Sequence, residues 1–120
     1  MEKKEIYKEW KKLVNMSEYQ LRRYYQSEDG KTSGLTREES NNLGIRNGRA
    51  SARALLKMIP TGKSFSAAIN NWTRNQWLWA IAQIAFIKRM LGVKGPLYKN
   101  SNRTSKLKAL LIWGHNPEKK

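Results

Sequence analysis

Cysteine is absent from the 120 residues, which excludes a disulfide framework, a thiolate zinc site and a cysteine nucleophile. His115 is the only histidine, so neither a histidine-based metal site nor a two-histidine acid–base pair can be assembled. Long apolar runs are missing too. The most apolar stretch, residues 77–87, is interrupted by Gln83 and falls short of the roughly 20 residues that span a bilayer. Residues 1–12 are charged throughout and do not resemble a secretory signal. These absences set the expectation of an intracellular, cytoplasmic protein without a membrane partner.

Acidic side chains are missing unevenly. There are 9 acids against 24 Lys and Arg, a formal net charge of +15. Eight of the nine acids lie within residues 1–39, where nine bases nearly balance them. From Ser40 to Pro117 there is no acid, against thirteen bases. Such a stretch repels no anion and predicts a polyanionic partner, with nucleic acid, DNA or RNA, first among them. Carboxylate chemistry fares badly. Glu38 and Glu39 are adjacent and point in different directions on a helix. Thr61-Gly62-Lys63-Ser64 ends like a phosphate-binding loop, but Lys57 stands where that loop needs its first glycine. No catalytic residue, no cofactor and no metal site is expected, and the chain reads as non-enzymatic.

What the sequence does contain is helical periodicity. The length and the 39% hydrophobic content fit one all-α domain over residues 1–120, a compact bundle of about five helices. Its parts are a near-neutral segment 1–39, an acid-free basic segment 40–117 and a tail 118–120. Ile6, Trp10, Leu13 and Val14 place a first amphipathic helix over 2–14. Ser17 with Gln20 forms a capping-box pattern opening a second, built on Tyr19, Leu21, Tyr24 and Tyr25. Residues 27–34 read as loop. Thr36 with Glu39 is a further capping-box candidate, ended by Gly44, before a helix over 49–59 closed by Pro60 and Gly62. Residues 65–70 form one more turn. Thr73 with Gln76 introduces a long helix over 74–91 with Gly92 at its end. Its apolar residues cover most of the circumference, so it is expected to be central and surrounded. A loop through Gly95 and Pro96 leads to Thr104 or Ser105 as the cap of a last helix, which Gly114 ends. Of the five tryptophans, Trp10, Trp77 and Trp113 are expected in the core, with Trp72 and Trp79 less buried. No run alternates long enough to argue for a sheet.

Two basic elements emerge. Arg46, Arg49, Arg53 and Lys57, spaced by three and four residues, align on one helix face opposite Ala52, Leu55, Leu56 and Ile59. Guanidinium forks suit phosphate, and Gly48 with Arg49 at a helix start adds backbone amides that favour an anion. The second element is the segment 94–108, carrying Lys94, Lys99, Arg103, Lys106 and Lys108. There Tyr98 reads either as a base-stacking side chain or as a core anchor beside Leu97. A phosphate-binding role for Arg46, Arg49 and Arg53 carries the expectation that changing them to Gln leaves thermal unfolding nearly unchanged. His115 reads as a helix-end residue.

Leu13-Val14-Asn15-Met16-Ser17, Glu39-Ser40 with Gly44 and Gly48-Arg49, and Trp113-Gly114-His115-Asn116-Pro117 resemble, in order, a family of small uncharacterised bacterial, archaeal and phage proteins. That family has a V-N-M-S start, an E-S…G…G-R centre and a W-G-H-D-P end, and some members are labelled DNA-binding. The resemblance implies an all-helical domain and a nucleic-acid role in which Arg49 takes part. Ile45 stands here where the family has histidine, and Asn116 where it has aspartate. Besides nucleic acid, two partners stay open: an acidic host protein surface engaged by a phage-type modulator, or a nucleoprotein particle or virion of which the chain is a structural part. The sequence sets no oligomeric state.

Overall fold

A computed structural model describes residues 2–32 and 47–119. The capping-box candidate at Thr36 and Glu39, its terminator Gly44, and Arg46 lie outside the described residues. Among the described residues there are seven helices and one two-stranded ribbon. In chain order the helices are α1 (Lys3–Leu13), α2 (Glu18–Gln26), α3 (Glu28–Thr32), α4 (Gly48–Thr61), α5 (Phe65–Asn71), α6 (Arg74–Leu91) and α7 (Ser105–Ile112). The ribbon, β1 (Tyr98–Lys99) and β2 (Asn102–Arg103), lies between α6 and α7. None of the described helices is long and apolar enough to cross a membrane.

Local signals place most of these boundaries. Ser17 and Gln20 form a reciprocal capping box at α2, and Thr73 and Gln76 another at α6; each satisfies two amides that a helix start leaves unpaired. Ser64 caps α5, and the Thr104 hydroxyl caps α7 while donating to the Pro96 and Leu97 carbonyls. Pro60 sits inside the last turn of α4 rather than ending it, and the helix runs on to Thr61, with Gly62 as its cap. Residues 27–34 are not all loop as expected. Ser27 accepts from the Gly30 amide and opens α3. Gly30 is there because of close approach: a Cβ on it would lie 1.9 Å from the Tyr24 carbonyl oxygen. The ribbon turns through Asn100 and Ser101, both at positive φ (53° and 67°), the geometry of a tight two-residue hairpin loop.

Helix α6 was expected to be surrounded, and it is not. It buries Trp77, Ala80, Gln83, Ile84 and Ile87 against α1, α4 and α7, while Leu78 and Ile81 remain 42% and 44% exposed. The centre is shared by α4, which touches α2, α5, α6 and α7, and α7, which touches α2, α3, α4 and α6. Small residues let the neighbours of α4 come close: Gly48, Ser51 and Ala52 are buried, and a Cβ on Gly48 would meet Ile112 at 2.9 Å. Two aromatic groups fill the core. Tyr7, Trp10, Trp72 and Trp77 interlock between α1 and the start of α6, with Trp72 donating to the Met58 carbonyl. Phe86 stacks on Trp113 at 4.2 Å between centroids, with Trp79 beside them. Trp72 is therefore buried, contrary to expectation, and Trp79 is half-buried.

The two ends of the described chain are clasped together. Asn15 Nδ2 donates to the Asn116 carbonyl, the Asn116 amide donates to Asn15 Oδ1, and the Met16 amide donates to the Gly114 carbonyl. His115 Nδ1 lies 2.6 Å from the Leu13 carbonyl. A carbonyl only accepts, so the ring proton sits on Nδ1. Gly114, at φ 88°, packs against Leu55 and Val14. Residues 13–17 and 113–117, which carry the family resemblance, thus meet in space.

Candidate functional site

Arg49 and Arg53 sit one turn apart on α4, with Tyr25 of α2 between their guanidinium groups. Arg49 is half-buried, its Nη1 donates to the Tyr25 carbonyl at 3.1 Å and the Gly30 carbonyl at 2.7 Å, and its guanidinium lies 3.9 Å from the Tyr25 ring centroid. Arg49, expected from its spacing as a phosphate ligand, has its Nη1 occupied by these two carbonyls. Through that nitrogen Arg49 ties α4 to the α2–α3 corner. The anion-binding amides expected beside it are taken as well: Asn47 Oδ1 accepts from both the Arg49 and Ala50 amides. Gly48 is buried as a packing contact against α7. Arg53 is exposed, with Nη1 donating to the Tyr25 hydroxyl at 3.1 Å. That hydrogen bond, helped by the two arginine charges, holds the hydroxyl below the ordinary tyrosine pKa. Lys57, one turn further on, is exposed.

The 94–108 segment splits in the same way. Lys94 and Lys99 are exposed. Arg103 Nη1 pairs with Asp29 Oδ2 at 2.7 Å, and Lys108 Nζ lies 3.8 Å from Asp29 Oδ1. Lys106 Nζ donates to the Val93 carbonyl at 2.5 Å. Tyr98 is 45% exposed, its hydroxyl donating to Glu118 Oε1 at 2.7 Å, so it is not the core anchor; Leu97 packs on the core instead. The two basic elements converge on α3, where Gly30 takes Arg49 and Asp29 takes Arg103 and Lys108. Of the proposed site residues, Arg53, Lys57, Lys94, Lys99 and Arg103 are exposed, Arg53 bonded to the Tyr25 hydroxyl and Arg103 paired with Asp29; Arg49, Lys106 and Lys108 are half-buried and engaged with the protein.

The Arg103 hydrogen bond holds the Asp29 carboxyl below its ordinary pKa. A carboxylate depressed in the folded state stabilises fully above its unfolded value and loses that contribution as pH falls through the folded one. The melting temperature of wild type should therefore exceed that of Asp29→Asn by a constant margin above about pH 5, a margin that shrinks once pH drops below about 4. A margin independent of pH down to acid unfolding would contradict the pairing.

Sequence reasoning missed a third basic set, on α1. Lys4, Lys8 and Lys11 follow one stripe at i, i+4 and i+7. With Lys12 they rim a depression of about 440 Å³ over Tyr7 and Phe65. The spacing signal was present, but charge summed along residues 1–39 hides it. Glu9, on another side of the helix, is spent on Lys88 at 3.3 Å. A second groove of about 630 Å³ runs between the α1–α2 corner and the end of α4, lined by Lys11, Tyr19, Lys63 and Lys119 among others. No group of three or more metal-ligating side chains gathers among the described residues. Comparison with models of known protein families, with curated proteins and with solved structures finds no match to this chain.

Proposed function

We propose that this protein is a non-enzymatic nucleic-acid-binding domain that holds phosphates through Arg53 and Lys57 on α4 and through Lys94 and Lys99 on the arm between α6 and α7. The observation that carries this reading is a surplus of exposed cations with no acid beside them. Among the described residues, Glu9, Glu18, Glu28 and Asp29 are each paired with a nearby base, while Glu2, Glu5 and Glu118 have none within salt-bridge distance. Arg53, Lys57, Lys94 and Lys99 have no carboxylate within salt-bridge distance among those residues. Cations left unpaired on a protein of net charge +15 attract a polyanion and release its counterions on binding. The resemblance to a family with DNA-labelled members supports the same reading.

The test compares wild type with Arg53→Gln/Lys57→Gln in binding to labelled nucleic acid across a salt series. Removing two phosphate contacts should flatten the log–log salt slope on duplex DNA by about 1.8 and weaken affinity at low salt roughly tenfold. Both side chains are exposed, so thermal unfolding should stay within about 0.5 kcal/mol of wild type. An unchanged slope with a folded variant would remove α4 from the interface.

A further inference from the structure

The depression over Tyr7 and Phe65 and the groove beside Tyr19 both have Lys11 as a wall, so they meet there. From this junction we infer that α1 forms a track for single-stranded nucleic acid, distinct from the α4 and arm cations. The inference rests on the nucleic-acid reading and specifies which form this second surface takes.

Lys4, Lys8 and Lys11 supply a row of point charges along the track, and Lys63, from the α4–α5 turn, lines the groove with Lys11. All four are exposed and have no carboxylate within salt-bridge distance among the described residues. Glu18, the carboxylate that also lines the groove, is already paired with Arg22 at 2.6 Å. Flexible ammonium groups suit a backbone whose phosphates are not held in duplex register.

Aromatic surface separates this track from a bare lysine patch. At one end Tyr19 is 66% exposed, and Arg23 braces it by donating to its hydroxyl at 3.1 Å. At the other end Phe65 is half-buried against Tyr7, whose ring is held by a hydrogen bond from its hydroxyl to the Gly62 carbonyl. The exposed Tyr19 ring at one end of a row of cations, with the half-buried Phe65 at the other, matches a strand whose unpaired bases offer stacking faces while its phosphates meet the charges. A duplex keeps its base faces covered and gains nothing from the rings. An acidic peptide satisfies the lysines but brings no planar groups to Tyr19.

The experiment uses the full chain with a labelled oligothymidylate and a labelled mixed-sequence duplex of equal length, with thermal melts on every variant. Lys4→Gln/Lys8→Gln/Lys11→Gln should weaken oligothymidylate binding about tenfold and flatten its salt slope by about 2, while changing duplex affinity less than about threefold. Tyr19→Leu should cost the oligothymidylate about fivefold, and Tyr19→Phe should restore it. Equal loss on both nucleic acids in the lysine variant would overturn the track and leave the nucleic-acid reading standing. No binding of wild type to either probe at low salt would overturn both. Displacement of the oligothymidylate by polyglutamate as effective as by unlabelled DNA, with Tyr19→Leu silent, would overturn the track in favour of an acidic protein surface.

Discussion

Arg49→Gln is expected to lower stability by about 2–3 kcal/mol, because hydrogen bonds from a charged donor and a stacked guanidinium each contribute on that order and do not add fully. For a domain of this size that is roughly a 10 °C drop in melting temperature. The glutamine side chain is too short to reach both the Tyr25 and Gly30 carbonyls that Arg49 bridges. It also leaves the Tyr25 ring without its cation. Arg49→Lys should recover about half of the loss, since an ammonium keeps the charge but lacks the planar group that lies over the Tyr25 ring. Measured well below the melting temperature, nucleic-acid affinity of Arg49→Gln should stay within about twofold of wild type, because the lost contacts are internal ones. A variant that melts normally but binds poorly would return Arg49 to the phosphate-contacting role expected from its spacing.

Gln83→Met should be the most destabilising single change of comparable volume, by about 3 kcal/mol. Gln83 is fully buried at the meeting of three helices. Its Oε1 accepts from Trp10 Nε1 of α1 at 2.8 Å, and its Nε2 donates to Ser51 Oγ of α4 at 3.2 Å. Methionine fills the space but leaves an indole N–H and a hydroxyl buried without these partners, and an unmet buried polar group costs more than the bond itself contributes. Adding Ser51→Ala to Gln83→Met should therefore cost less than the two single effects combined, a non-additivity that chemical denaturation can measure. Additive losses would mean that the three side chains do not act as one network.

Much of the fold was legible because its signals are local. The box at Thr73 and Gln76 and the glycine at position 92 set both ends of α6 where the sequence placed them, since capping depends on neighbours within one turn. The surroundings of each helix were less legible. Apolar coverage made α6 look surrounded, yet Leu78 and Ile81 stay exposed, while the small residues Gly48, Ser51 and Ala52 let α4 take neighbours on several sides. Gly30 misled in the same way: its composition reads as loop, whereas its lack of a side chain lets α3 approach the Tyr24 carbonyl. For the candidate site, spacing found which bases share a helix face but not what lies opposite them. Arg49 and Arg53 are one turn apart on α4; only Arg49 meets two backbone carbonyls. The α1 lysines escaped because net charge over a segment averages faces that the folded helix keeps apart.

The central claim is that the unpaired cations hold a nucleic-acid backbone. Fluorescence anisotropy of the wild-type chain with labelled duplex DNA, single-stranded DNA and RNA of mixed sequence, each across a salt series, tests it most directly. On duplex DNA, four phosphate contacts predict tight binding at low salt that weakens with a log–log slope of about −3.6. No binding at low salt, or binding indifferent to salt, would contradict it.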